Sequence, residues 1–151
     1  FDEGHTVYVL DGSNLRLGIS HDLSFSGLDR AENIRRAAEV ARLTGELGLI
    51  TIAAFVSPFE ADRATARELI GADSFVEVFC DAPLEVCEAR DTTSLYARAR
   101  TGEIRDVTGI GAPYEPPIQP EIVVRTDQLS LAQSCEQIIA ALRQLGFLHT
   151  R

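Results

Sequence analysis

A short apolar run at residues 7–10 is followed at once by the polar turn Asp11-Gly12-Ser13-Asn14. The run is too short for a helix, so it predicts a strand that ends in a sharp loop. The loop lies at the carboxyl end of the strand, which is the edge where open α/β sheets bind ligands. This pattern predicts an α/β domain whose binding site begins at Asp11.

Three later apolar runs predict further strands, at residues 49–56, 75–80 and 122–124. The run at 49–56 is almost unbroken, which indicates a parallel strand covered on both faces. Strands that alternate with helices imply parallel βαβ units. The helices predicted between and after them run from a capping box at Ser26 and Asp29 to Gly48, over Glu60–Ile70, over 81–90, over 94–100, and from a second capping box at Ser130 and Gln133.

One face of the long helix that begins at Ser26 carries small and apolar residues at the spacing of a buried stripe. The members of this face are Ile34, Ala37, Ala38, Ala41 and Gly45. Residues 101–120 are instead rich in glycine and proline, and a loop of this length inside a compact domain is typical of a lid.

The composition fits one globular domain, because the chain has 151 residues of which 45% are hydrophobic. The formal net charge of -9 argues against an extended surface for nucleic acid or anionic membrane. No apolar run approaches the roughly 20 residues of a membrane span. We therefore predict no nucleic-acid and no membrane partner.

The cysteines and histidines indicate neither a disulfide framework nor a zinc site, and the expected setting is the cytoplasm with reduced thiols. These residues are Cys80, Cys87, Cys135, His5, His21 and His149. All 14 basic residues are arginine, so the chain has no lysine for a phosphate loop. Anion-binding and orienting groups follow Asp11 closely, namely Asn14, Arg16, Arg30, Asn33, Arg35 and Arg36.

Five segments carry a resemblance to a known family. LDGSNLR, DRAENIRR, FVSP, PLEVCEAR and TGI, which begin at Leu10, Asp29, Phe55, Pro83 and Thr108, resemble in order the signature segments of adenylylsulfate (APS) kinases. These enzymes transfer the γ-phosphate of ATP to the 3′-hydroxyl of APS and so form PAPS. The resemblance implies one APS kinase-like domain over residues 1–151, with a P-loop kinase-like, three-layer α/β/α fold and a mostly parallel sheet.

The resemblance also implies a site. Arginine suits a phosphosulfate because its planar fork pairs two oxygens at once. Phe25 would stack on or wall the adenine, although its place beside Leu23 equally fits a core aromatic. The implied residues are Asp11 for catalysis, Arg16, Phe25, Arg30, Asn33 and Ser57 for APS, and Arg98, Arg105, Thr108 and Gly109 in the lid.

The chain departs from the family where phosphoryl transfer and lid closure take place. Ser13 stands where the family usually has the second aspartate of the loop. Ala97 and Arg105 stand where it commonly has lid lysines, and Val107 stands where it has an aromatic residue that covers the nucleotide. Glu60 replaces a usual arginine. Three readings therefore stay open: an APS kinase, a catalytically degenerate APS- or PAPS-binding domain that regulates an attached or partner ATP sulfurylase, and an interaction-only domain.

The family's first strand and its G-x-x-x-x-G-K-[ST] phosphate loop have no counterpart in this sequence. In the family that strand lies between the two that correspond to 49–56 and 75–80, and its removal would leave buried peptide groups without partners. We expect about 30 or more further residues before Phe1 in the natural protein. We also expect Mg²⁺ to be bound with ATP only in the intact enzyme, little or no kinase activity in this chain alone, and a homodimer.

Overall fold

The computed structural model describes residues 4–148, so His149 lies outside the described residues. The chain divides between Phe75 and Val76 into two compact units, each with its own pair of parallel strands. This division does not test the prediction of one domain. In residues 4–148, no helix combines the length and the apolar composition that a membrane span requires.

The first unit is built on two parallel strands that three helices accompany. β1 and β2 pair in register, with Asp11 opposite Ala54. The strands predicted at 7–10 and 49–56 are confirmed, although the second is shorter than expected. The elements of this unit are β1 (Val7–Asp11), α1 (Gly12–Arg16), α2 (Gly27–Glu46), β2 (Ile50–Ala54), α3 (Glu60–Ile70) and a 3₁₀ turn at Ala72–Ser74.

The second unit also contains one parallel pair, in which Val78 lies opposite Ile122. The predicted strands are confirmed, but the first begins at Val78 rather than at Phe75. The capping box of the last helix is confirmed in full, since the side chain of each of Ser130 and Gln133 accepts a bond from the backbone of the other. The elements of this unit are β3 (Val78–Asp81), α4 (Leu84–Ala89), α5 (Leu95–Arg100), β4 (Ile122–Arg125) and α6 (Leu131–Gln144).

The core of the first unit forms where α2 packs on β2 and α3. Its buried residues are Leu10, Leu15, Ile34, Ala37, Ala38, Ala41 and Ala66. The predicted apolar face of α2 is therefore confirmed except at Gly45, which is exposed. Gly45 lies in the last turn, where no neighbouring atom would come within 4 Å of a Cβ.

Two local predictions are wrong. The polar loop after β1 is a one-turn helix, α1, because the Asp11 side chain caps its first N–H groups. The capping box at the start of α2 is only half formed: Ser26 accepts a hydrogen bond from the Asp29 N–H, but the Asp29 carboxylate binds Ser24 instead.

The expectation that β2 is covered on both faces is also wrong for the described residues. Ile52 is 52% exposed, and its strand partner Val9 is 57% exposed. The described strands form two separate parallel pairs. If the strands predicted at 49–56 and 75–80 paired with each other in register, this would contradict the prediction that a central strand between them is missing. No such pair is found among residues 4–148, so the missing strand stays a prediction.

Candidate active site

Asp11 ends β1 and fixes the first turn of α1. One of its carboxylate oxygens accepts hydrogen bonds from the N–H groups of Ser13, at 2.9 Å, and Asn14, at 3.0 Å. These bonds satisfy helix donors that would otherwise lack partners and hold the carboxylate in one orientation. Asp11 thus lies at the carboxyl edge of the parallel pair, as predicted.

Gly12 lets β1 and the end of β2 approach each other closely. A Cβ at Gly12 would lie 3.0 Å from the ring of Phe55 and 3.5 Å from the carbonyl oxygen of Ala54. Because β1 and β2 are parallel, the chain that leaves β2 toward Ser57 starts at the edge that carries Asp11. The structure therefore places Asp11 and Ser57 after neighbouring strand ends of one unit.

Three of the predicted APS residues meet directly around the ring of Phe25. The guanidinium carbon of Arg16 lies 4.4 Å from the ring centroid, and that of Arg30 lies 5.6 Å from it. Arg30 also donates from Nε to the Phe25 carbonyl oxygen at 3.0 Å. Phe25 is 61% exposed, which excludes the alternative of a core aromatic. The result is an exposed aromatic ring flanked by two cations at cation–π distance.

Arg16 is itself held in place by residues 17–26, the segment between α1 and α2 that carries Phe25 and that we call the Phe25 segment. Its Nη1 donates to the carbonyl oxygens of Leu23, at 3.1 Å, and Ser24, at 2.7 Å. A guanidinium has five N–H donors, so these two bonds leave donors for a ligand. The last residue of α1 and the segment before α2 are thereby joined.

Asp29 anchors the same segment, a role that the sequence analysis missed. Its carboxylate accepts hydrogen bonds from the Ser24 N–H, at 3.0 Å, and from the Ser24 hydroxyl. The bond from the Ser24 side chain, with smaller contributions from Ser26 and the Ser24 N–H, lowers the pKa of Asp29. The serines at 24 and 26 just before an aspartate were the available signal, and the capping-box interpretation used only one of them.

A second anchor is Arg36 of α2, which binds Ile19 and Asp22 in the first part of the Phe25 segment. Its Nη1 donates to the Ile19 carbonyl oxygen at 2.7 Å, and both Nη atoms bind the Asp22 carboxylate at 2.6 and 2.8 Å. The Arg36 hydrogen bond lowers the pKa of Asp22 to about 2. Arg35 pairs with Glu32, which Arg36 also binds. Arg36 thus orients the Phe25 segment by binding the Asp22 carboxylate and the Ile19 carbonyl oxygen.

Asn33 and Ser57 occupy more enclosed positions. Asn33 is 5% exposed, and its Oδ1 accepts no hydrogen bond from residues 4–148. It follows Arg30 on α2 by about one turn, so both lie on the same side of the helix. Ser57 has a φ of 41°, and its carbonyl oxygen accepts a hydrogen bond of 2.7 Å from Arg63. No hydrogen bond or ring contact that the structure describes joins Asn33 or Ser57 to Arg16 or Phe25.

The predicted lid residues belong to the second unit. The Val107 carbonyl oxygen accepts hydrogen bonds from three N–H groups, those of Ile110, Gly111 and Ala112, at 2.9–3.1 Å. Gly109, inside this turn, has a φ of 89°, a conformation that favours glycine. These residues form a compact turn, which we call the 106–112 loop.

The side chains of the lid differ in how far they are engaged. Arg98 pairs with Glu103 at 2.8 Å, whereas Arg105 is exposed. Val107, at the position of the family's aromatic, is 9% exposed. The Thr108 hydroxyl is buried and has no hydrogen-bond partner among the described residues.

Comparison with known proteins gives concordant matches. The family model for adenylylsulphate kinase matches residues 1–125. The adenylyl-sulfate kinase of Acaryochloris marina is 51% identical over 142 residues, which cover 94% of this chain and 69% of the relative. A solved structure of the Mycobacterium tuberculosis APS kinase CysC, in complex with AMPPNP and APS, superposes with a TM-score of 0.89 at 44% identity. The match covers 94% of this chain and 83% of that one.

Two further relatives concern assembly. The bifunctional enzyme CysN/CysC of Xylella fastidiosa is 52% identical over 92% of this chain, which corresponds to 22% of the relative. A hexameric APS kinase from Thiobacillus denitrificans superposes with a TM-score of 0.71 at 27% identity, covering 98% of this chain and 24% of that one. Relatives of this chain thus occur both in larger assemblies and in fusions.

These matches confirm the α/β fold class and favour the kinase interpretation over the regulatory one. The family model matches most of the chain, including all of the first unit and part of the second, and the relatives are kinases by name. The chain belongs to the adenylylsulphate kinase family, whose members serve sulfate assimilation.

Proposed function

We propose that this chain provides the APS-binding part of an adenylylsulfate kinase, which moves the γ-phosphate of ATP to the 3′-hydroxyl of APS. The observation that carries the proposal is the exposed ring of Phe25 with the guanidinium groups of Arg16 and Arg30 at 4.4 and 5.6 Å. An aromatic face suits adenine, and fixed guanidinium groups suit the phosphosulfate anion. One small exposed cluster therefore matches both ends of APS.

The remaining APS residues have roles that follow from their burial. Asn33 has a buried carbonyl oxygen without a partner among residues 4–148, and a ligand N–H or hydroxyl would satisfy it. Ser57 follows β2 at the edge that carries Asp11, where its hydroxyl can bind the sugar or phosphate of APS. We assign both residues to the same APS site as the Phe25 cluster.

Asp11 is the proposed catalytic residue. Its two N–H bonds hold one carboxylate oxygen, and the second oxygen can accept a hydrogen bond from the 3′-hydroxyl of APS. Phosphoryl transfer relies mainly on such positioning, because most of the charge develops on the phosphate oxygens. Asp11 thereby orients the attacking hydroxyl.

The residues of the chain fit Mg²⁺ only as an ion bound together with ATP. Within residues 4–148 no group of three or more histidine, cysteine, aspartate or glutamate side chains could hold a metal ion. One carboxylate is nonetheless a usual protein contribution to Mg²⁺ on a nucleotide, and Asp11 can supply it. When bound, Mg²⁺ neutralises charge on the ATP phosphates.

We assign the lid residues Arg98, Arg105, Thr108 and Gly109 to the ATP side. Arg105 is exposed and offers an undirected positive charge, whereas the charge of Arg98 is partly balanced by Glu103. The buried Thr108 hydroxyl can bind a phosphate oxygen once the segment moves. Val107 is aliphatic and buried, so it leaves the nucleotide without the aromatic cover of the family.

Titration calorimetry with APS and with PAPS tests the proposal. We expect saturable binding of at least one of them by the folded chain, and weaker binding of adenosine monophosphate, which lacks the sulfate that an arginine would pair. A folded sample that binds neither APS nor PAPS would reject the proposed function.

We further propose that the protein forms a homodimer and works with ATP sulfurylase as a fusion or partner in the cytoplasm. Support comes from relatives that are hexameric or bifunctional, and from cysteines that form no disulfide. Light scattering of the complete protein measures the oligomer directly, and co-purification with ATP sulfurylase tests the partner. A monomer at all concentrations would contradict the dimer.

A further inference from the structure

Ser57 adopts a backbone conformation that a serine does not favour. Its φ of 41° lies in the left-handed region, where a side chain with a Cβ is strained. The surrounding structure must therefore hold this residue in place, since such conformations persist only where their neighbours determine them. Ser57 is partly buried, and the next residue, Pro58, is buried.

Arg63 supplies a contact that can hold Ser57. This side chain on α3 is 7% exposed, although it carries a full charge. Its Nη1 donates to the Ser57 carbonyl oxygen at 2.7 Å, and its Nη2 donates to the Glu60 carboxylate at 2.6 Å. A buried guanidinium requires such partners, so Arg63 has little freedom to move.

The buried Arg63 side chain restrains the backbone of Ser57 through this hydrogen bond. A hydrogen bond to the Ser57 carbonyl fixes the peptide plane between Ser57 and Pro58, and the fixed φ of proline continues the constraint. The backbone of Ser57 is then constrained by a side chain that lies six positions further along the chain and is itself only 7% exposed.

We propose that Arg63 is a positioning residue for APS: it holds Ser57 in its left-handed conformation so that the hydroxyl faces the ligand. The proposal rests on the proposed function, because it takes Ser57 as an APS contact. Arg63 itself touches no ligand in this scheme and acts only through Ser57. Glu60 supports it by balancing the buried charge.

The test uses a matched pair of variants on α3, Arg63→Gln and Arg67→Gln. Both remove a guanidinium from the same helix, but Arg67 lies 4.6 Å from the ring of Phe75, and its ring contact does not involve Ser57. Calorimetry gives the APS affinity of each variant. Backbone NMR coupling constants and carbon shifts report the sign of φ at Ser57, a readout that a general loss of stability would not change.

We expect Arg63→Gln to weaken APS binding about tenfold or more relative to Arg67→Gln, the scale of one charged hydrogen bond. We also expect Ser57 to lose its positive φ in Arg63→Gln alone. Equal APS affinities with an unchanged Ser57 would overturn the proposal and leave the proposed function intact. Failure of the unmodified chain to bind APS or PAPS would overturn both. If Arg63→Gln does not fold, Arg63→Lys against Arg67→Lys decides in the same way, because an ammonium keeps the charge but not the fork.

Discussion

The segment that carries Phe25 and the 106–112 loop are both irregular, but they are held by different forces. The Phe25 segment is fixed by charged side chains, since Arg16, Asp29 and Arg36 bind its backbone or side chains. The 106–112 loop is fixed by backbone groups, which converge on the carbonyl oxygen of Val107. One region thus depends on charge, and the other on conformation.

This difference separates the conditions under which each region should fail. Ion pairs at a surface weaken as salt rises or as a carboxylate is protonated. Backbone hydrogen bonds respond to neither, but they are lost when a residue cannot adopt the required φ. Charge substitutions should therefore loosen the Phe25 segment, and glycine substitutions the 106–112 loop.

The largest expected effect concerns catalysis by this chain alone. The chain contains no lysine, and Ser13 stands where the family has its second loop aspartate, so the chain lacks two groups with which the family holds the β- and γ-phosphates in line. We expect the purified 151-residue chain to form little or no PAPS from ATP, Mg²⁺ and APS. Separation of nucleotides by chromatography measures this, with a family member that has an intact phosphate loop as the control. Detectable PAPS would show that arginines replace the lysine.

The second prediction tests the charged region. Arg16→Ala removes the guanidinium over Phe25 and two bonds to the segment, so APS affinity should fall by roughly 1.5–3 kcal/mol. Calorimetry measures the loss. Arg42→Ala on α2 is the control, because it also removes one arginine charge, but Arg42 forms ion pairs with Glu39 and Glu46 and is not one of the proposed APS residues. A similar loss in both variants would mean that general charge, and not the Phe25 cluster, attracts APS.

The third prediction tests the backbone-held region. Gly109→Ala should destabilise the second unit by about 1–2 kcal/mol, because alanine is strained at a φ of 89°. A Cβ there would also lie 3.0 Å from Leu84 Cδ1, which must move. Gly102→Ala, at a φ of 77° with no atom within 4 Å of its Cβ, carries the strain without the contact. Urea unfolding should rank Gly109→Ala as the less stable; the reverse order would contradict this account of the loop.

The smallest effect is the pH dependence of the Asp22–Arg36 pair. Arg36 lowers the pKa of Asp22 from 3.8 to about 2, so the pair stabilises the fold above pH 3.8. This contribution is lost as the pH falls through about 2. The difference in urea midpoint between the unmodified chain and Asp22→Asn should be constant from about pH 7 to 5 and should shrink toward pH 2. Asp73→Asn, at an exposed site, serves as the control, and a gap that widens on acidification would exclude the pair as its cause.

The regular elements could be predicted where pattern and punctuation agree. The bounds of α3 were predicted correctly at Glu60–Ile70, because an amphipathic pattern ends at Gly71. The helix α1 was missed, since a five-residue helix shows no periodicity and depends on the cap by Asp11. The exposure of Ile52 could not be predicted either, because burial depends on which elements cover a strand and not on its own sequence.

The sequence could supply candidate residues for the site, whose binding roles stay a prediction, but it could not supply their contacts. Arg16, Phe25 and Arg30 were named from the family resemblance, and the structure brings them together. That Arg16 lies over the ring of Phe25 depends on side-chain rotamers and on the path of the intervening segment, neither of which a pattern encodes. Arg63 was missed for a similar reason, because its role arises from a tertiary contact with a strained residue.

The shared acceptor in the 106–112 loop has a consequence for hydrogen exchange. The amides of Ile110, Gly111 and Ala112 all bind the oxygen of Val107. An amide exchanges only after its hydrogen bond opens, and turning this one carbonyl away releases all three protons at once. Their protection against exchange should therefore be lost in a single opening event, so the three amides should exchange with the same opening rate.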